Sequence, residues 1–102
     1  MDQELLEWAE SQANLFRTFN NARRILILHT LCGGEMSVGE IATAIEASLQ
    51  STSQHLQVMK DRGILASRRD GQTIFYRLVD QGLLERLGLD APYAPEALST
   101  EQ

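Results

Sequence analysis

The stretch Ser48 to Leu78, SLQSTSQHLQVMKDRGILASRRDGQTIFYRL, concentrates side chains suited to binding rather than to bond-making. Gln50, Ser51, Ser53 and Gln54 stand close together, and Arg68, Arg69 and Gln72 follow. A Gln amide can pair bidentately with N6 and N7 of adenine, and a Ser hydroxyl can serve either a base edge or a phosphate. Guanidinium groups attract phosphate, and short polar residues at a helix N-terminus let backbone N–H groups approach it. Catalysis fits poorly. One Cys, two His and no Gly-rich phosphate loop leave no set of nucleophile, base and orienting group, so an enzyme is not expected.

Charge is distributed unevenly around this stretch. Residues 1–47 carry three basic and seven acidic groups, and residues 79–102 carry one basic and five acidic groups. Between them, residues 48–78 carry five basic and two acidic groups, so a positive centre sits between negative ends of a chain with net charge −5. A length of 102 residues bounds the chain to one domain with a small core, which a second copy would help to bury. No apolar run approaches a membrane span, and the acidic start MDQELLEWAE does not resemble a targeting peptide. With one cysteine and no disulfide framework, a cytoplasmic location is expected.

The elements that position these residues follow from periodicity and capping. Residues 3–19 read as a helix, with Leu5, Trp8, Gln12, Leu15 and Phe19 in one row and Leu6, Ala9, Ala13 and Phe16 beside it. That stripe is wide enough for a subunit interface, with docking on the chain's own core as the plainer reading. Asn20 or Asn21 can cap a second helix to about Cys32, stopped by Gly33-Gly34. Ser37 and Glu40 form a capping box opening a short helix with Val38, Ile41, Ala42 and Ile45 inward. Ser48 can cap a fourth helix to Arg62, with Gly63 as its left-handed stop. Alternation then predicts strands at Ile64–Arg69 and Gln72–Leu78, joined by an Asp70-Gly71 turn. Asp80 can cap a fifth helix carrying Leu83, Leu84 and Leu87, and the tail 91–102 is expected to be irregular.

On a wheel of the fourth helix, Leu49, Thr52, Leu56 and Met59 fall on the core side, while Gln50, Ser51, Gln54 and Gln57 fall on the other. A polar face can be merely solvated, and a basic hairpin tip can be merely soluble. A short helix, an amide-bearing helix and a basic hairpin in this order are more specific, and describe a winged helix-turn-helix. The fold expected for residues 1–90 is therefore mainly α with a small β-hairpin.

The stretches ARRILILHTL, MSVGEIATAI and SLQSTSQHLQVMKDRGILASRRDGQTIFYRL resemble the ArsR family of winged-helix repressors. The resemblance is carried by Gln54-His55-Leu56, Met59, Gly63-Ile64, Arg68, Gly71, Tyr76 and Leu78, and spans about residues 15–90. It implies a homodimer built from the first and last helices, with Leu5, Trp8, Leu15, Phe16, Phe19, Leu83, Leu84 and Leu87 at the interface. It also implies a recognition helix in the major groove carrying Ser48, Gln50, Ser51, Ser53, Gln54 and His55, and a wing contacting DNA through Arg68, Arg69 and Gln72.

The family's usual metal ligands are absent. Where many members have E-L-C-V-C-D-L, Glu35 to Ile41 reads EMSVGEI, with Ser37 and Gly39 in place of the thiols. The second family site would need a histidine after Asp80, and none follows. No metal and no cofactor are expected. His29 and Cys32 lie three apart on the second helix, too few for a site, and read as an ordinary helix-end pair. A thiol-redox role for Cys32 stands as an alternative. His55 reads as structural or phosphate-facing.

The expected function is a homodimeric, sequence-specific repressor binding a near-palindromic double-stranded DNA operator, without a membrane partner. The rival from another class is a winged-helix protein-interaction module. The residues leave the inducer open.

Overall fold

The computed structural model describes residues 1–88, in the order α1 (Gln3–Thr18), α2 (Ala22–Thr30), a 3-10 turn (Leu31–Gly33), β1 (Met36–Ser37), α3 (Val38–Ala44), α4 (Leu49–Asp61), β2 (Leu65–Asp70), β3 (Thr73–Leu78) and α5 (Gly82–Arg86). The expected tail at 91–102 lies outside the described residues. Side-chain caps start the helices. Asp2 accepts from the Glu4 amide (3.1 Å), Asn21 from Arg24 (3.2 Å) and Ser48 from Ser51 (3.1 Å). At α3 the capping box is complete: Ser37 Oγ accepts from the Glu40 amide (3.1 Å), and the Glu40 carboxylate accepts from the Ser37 amide (2.9 Å). At α5 the cap position is Gln81 rather than the expected Asp80 and carries no side-chain cap bond; Asp80, one residue earlier, accepts from the Gly82 amide (2.8 Å).

The core gathers one face from each element. Ile27, Leu28 and Leu31 meet Ile41 and Ile45 of the α3 region, Leu56 and Met59 of α4, Leu65, Tyr76 and Leu78 of the sheet, and Leu83 and Leu84 of α5. α1 reaches this core only at its C-terminal end, through Phe19 and the partly buried Leu15. Its other face leaves Leu5, Trp8 and Phe16 exposed by 53%, 61% and 61%.

Two further expectations need correction, and β1 adds a short third strand to the expected hairpin. Leu49 was expected in the core but is 60% exposed, because it lies about 60° round the helix from the buried Thr52, at the edge of the α4 stripe. The hairpin turn is Gly71-Gln72 rather than Asp70-Gly71, since Asp70 still pairs with Thr73. Gly71 takes φ +65° while Gln72 stays at negative φ, the Gly-first form of a two-residue turn. The sheet is three-stranded in the order β1-β3-β2, all antiparallel, with Met36 opposite Tyr76 and Ser37 opposite Phe75. β1 has only two residues, too few for alternation to reveal.

One smaller difference concerns α2. It ends at Thr30 and passes into the 3-10 turn, so Cys32 is not on the helix that carries His29. Gly34 closes that turn at φ +124°, and Gly63 ends α4 at φ +76° as expected. No described helix is long and apolar enough to cross a membrane.

Candidate nucleic-acid interface

α4 is held from one side and open on the other. Thr52, Leu56 and Met59 are fully buried, spaced by four and three residues, and bind the helix to the core. Ser48, Gln50, Ser53, Gln54 and Gln57 are exposed, and Ser51 and His55 are half-buried at the margin. The candidate readers Gln50, Ser53 and Gln54 thus share the open face near the helix N-terminus, where base edges are reached when such a helix enters a groove. The exposed Leu49 lies one turn before Ser53 on the edge of that face.

His55 is fixed in chemistry as well as in place. Arg24 Nε donates to its Nδ1 at 3.3 Å, so Nδ1 carries no proton and the ring hydrogen is on Nε2. Burial, then Arg24, then Arg23 hold its pKa below the usual histidine value of 6.5. Both the Arg24 contact and the lowered pKa favour the uncharged ring, whose Nε2–H can donate.

The wing separates two residues that stand together in sequence. Arg68 pairs across the strands with Phe75 and Arg69 with Ile74, so alternation sends their side chains to opposite faces of the hairpin. Arg68 lies over the Phe75 ring, 4.4 Å from its centroid, and binds Glu35 through Nε (3.0 and 2.9 Å) and Nη2 (2.6 Å). This contact holds the Glu35 carboxyl below the ordinary carboxylate range and the Arg68 guanidinium above its own. Arg69 makes no ion pair among the described residues, and Gln72 is exposed at the turn. Glu35 was read only as part of a lost metal motif. No signal along the chain ties it to Arg68, 33 positions away.

The candidate interface residues divide. Leu5, Trp8 and Phe16 are free on α1, whereas Phe19, Leu83 and Leu84 lie in the core of the single chain, and Leu15 and Leu87 pack partly against it. Cys32 is exposed and has no second cysteine to pair with in its own chain. Among the described residues no group of three or more His, Cys, Asp or Glu side chains could hold a metal ion.

This geometry has known counterparts. The family model described as "Bacterial regulatory protein, arsR family" matches residues 21–67, from the cap of α2 into the wing. The chain is 37% identical over 82 residues to nodulation protein NolR of Rhizobium meliloti, covering 80% of this chain and 67% of that protein. It is 38% identical over 82 residues to the HTH-type transcriptional regulator KmtR of Mycobacterium tuberculosis, covering 80% of this chain and 62% of that regulator. The homodimeric winged helix-turn-helix DNA-binding domain of Mb0332 from Mycobacterium bovis superposes with TM-score 0.76 at 27% identity, covering 99% of this chain and 89% of that one. An α3–α4 pair with a β2–β3 wing, exposed amides on α4 and matches of this extent have one consequence: the chain belongs to the arsR family of bacterial regulatory proteins and has its winged helix-turn-helix fold.

Proposed function

We propose that the chain is a homodimeric, sequence-specific transcriptional repressor that reads a near-palindromic operator in the cytoplasm without the family's usual metal sites. The observation that carries this reading is the open face of α4, where Gln50, Ser53 and Gln54 point away from a helix anchored by Thr52, Leu56 and Met59. In the major groove, Gln50 and Gln54 are placed to read base edges, and Ser48, Ser51, Ser53 and the His55 Nε2–H to hold the backbone. Arg69 and Gln72 extend from the wing toward phosphate, with Arg68 in reserve behind Glu35.

The exposed Leu5, Trp8 and Phe16 of α1 favour a second copy as the partner, since they form an apolar row on a helix that its own core scarcely covers. Leu15, Phe19, Leu83, Leu84 and Leu87 would support that surface from beneath. Two α4 helices would then lie roughly 34 Å apart, one turn of duplex.

Selection of bound sequences from a random DNA pool, followed by gel shift with salt titration, tests the reading. The expected outcome is an enriched inverted repeat and affinity that falls steeply with salt. Absence of any DNA binding at low salt would leave a protein-interaction module in its place.

A further inference from the structure

Thr18, at the end of α1, is only 1% exposed and polar, and every hydrogen-bonding group it offers there is used. Its hydroxyl donates to the Asn14 carbonyl (3.0 Å) and accepts from Nη1 of Arg62, the residue that caps the C-terminus of α4. Its carbonyl accepts from Nη1 of Arg24 on α2 (3.2 Å). The same guanidinium donates through Nε to His55, in the middle of α4. α1 is thus tied to α4 at two positions, His55 and Arg62, separated along the helix by about 10 Å at 1.5 Å per residue.

One tie would let α4 pivot, while two ties this far apart hold its tilt. Apolar packing does not duplicate them, because α1 meets the core only through Leu15 and Phe19. The rest of α1 carries the exposed Leu5, Trp8 and Phe16. A polar cluster built round the buried Thr18, with each bond to it sharing a guanidinium or a hydroxyl with another, is a stiff connection, since loss of one bond loosens the others.

We propose that Thr18, Arg24 and Arg62 are positioning residues that set the angle between the subunit helix α1 and the recognition helix α4, and so the half-site spacing that a dimer accepts. This rests on the dimeric operator-binding reading above. In a two-fold dimer joined through α1, any change in that angle moves both copies of α4. A displacement of about 1.7 Å in each amounts to one base-pair step of about 3.4 Å. Base preference within each half-site stays with Gln50 and Gln54, to which none of the three residues is hydrogen-bonded; on α4 Arg24 reaches only His55, assigned above to the DNA backbone.

The test is selection from a pool of paired half-sites with spacers of varied length, for the wild type, Thr18→Val, Arg24→Met and Thr18→Ser. Sedimentation checks the dimer in each case. The wild type is expected to concentrate on one spacer. Thr18→Val and Arg24→Met should spread over neighbouring spacers, losing about tenfold of the discrimination, with the half-site bases unchanged. Thr18→Ser keeps the hydroxyl and should restore the single spacer. Arg62→Met, at an exposed position, carries the test if Thr18→Val does not fold. An equally sharp spacer preference in Arg24→Met and Arg62→Met would overturn the proposal while leaving the operator reading intact. A wild type that selects no paired half-sites would instead remove the operator reading itself.

Discussion

The Arg68 guanidinium is held by the Glu35 carboxylate through Nε and Nη2 at 2.6–3.0 Å, across β3 and over the ring of Phe75. A carboxylate so bound occupies the same fork that a phosphate would take. Glu35 therefore acts as an internal competitor for one wing cation. Glu35→Gln keeps the shape and removes the charge, so affinity should rise on all DNA sequences alike. The slope of log affinity against log salt should steepen by about one, the signature of one added phosphate contact. An unchanged slope would mean that Arg68 serves only to brace the wing. The link persists at neutral pH. Because the folded carboxyl titrates below its ordinary value of 4.5, its contribution is present above 4.5 and is lost as pH falls through the lowered folded value.

Gln54 and Arg69 should fail in different ways. Gln54 is exposed on the open face of α4, where an amide can read one base pair. Gln54→Ala is expected to relax preference at one position by about 1–3 kcal/mol and to spare other sequences. Arg69, free of ion pairs among the described residues, should act on phosphate. Arg69→Ala should weaken all sequences to the same extent and make the salt slope shallower. Quantitative binding to a matched set of single-base operator variants separates the two, and a uniform loss from Gln54→Ala would remove it from base reading.

What the residues revealed on their own was whatever depends on near neighbours. The Ser37–Glu40 box, the Ser48 cap, the Gly63 stop and the inward set of α4 from Thr52 to Met59 all involve spacings of four residues or fewer. Leu49 failed because a helical wheel gives the direction of the apolar stripe but not its width, and the buried strip through Thr52, Leu56 and Met59 is too narrow to include it. The hairpin was legible but its register was not, since Asp70-Gly71 and Gly71-Gln72 are both two-residue turns with glycine. The site's long-range contacts left no trace. Glu35 with Arg68 and Thr18 with Arg62 join residues 33 and 44 apart, and only the folded chain brings them together.

His55 gives folding a pH dependence with a definite sign. Burial and the neighbouring Arg24 and Arg23 lower its folded pKa below 6.5. Above 6.5 both folded and unfolded chains hold the ring neutral. As pH falls below 6.5 the unfolded chain takes up a proton that the folded one refuses, so stability drops until the folded value is passed. Denaturant midpoints from pH 7.5 to 5.5 should therefore fall more for the wild type than for His55→Gln. Equal slopes would show that burial and the neighbouring Arg24 and Arg23 do not hold the ring neutral.

Thr52 is buried on the inner face of α4, and its Oγ1 has no hydrogen-bond partner among the described residues. An unpartnered buried hydroxyl costs stability, and Val replaces it with a methyl of the same shape. Thr52→Val should leave stability unchanged or raise it by about 1 kcal/mol, roughly 4–8 °C in Tm for a domain of this size. DNA affinity should be unaltered, because the side chain faces away from the open side of the helix. A loss of stability measured by thermal melting would indicate that the hydroxyl is partnered after all.

Trp8 and Leu84 should separate association from folding. Trp8 is 61% exposed in the single chain, so Trp8→Glu removes little that holds one copy together. It places a charge in the apolar row that a second copy would cover, at a position where an indole contributes about 150–250 Å² of contact. Sedimentation should shift to the single-chain species while the circular dichroism spectrum and thermal unfolding of the dilute protein stay close to wild type. Operator affinity should collapse toward that of one half-site, because the second α4 is no longer delivered at high effective concentration. Leu84 is 4% exposed and already enclosed by its own chain. Leu84→Ala should cost about 2–5 kcal/mol of folding whether or not the dimer forms. If Trp8→Glu remained dimeric and Leu84→Ala dissociated without loss of fold, the subunit contact would have to lie on α5 rather than on the free face of α1.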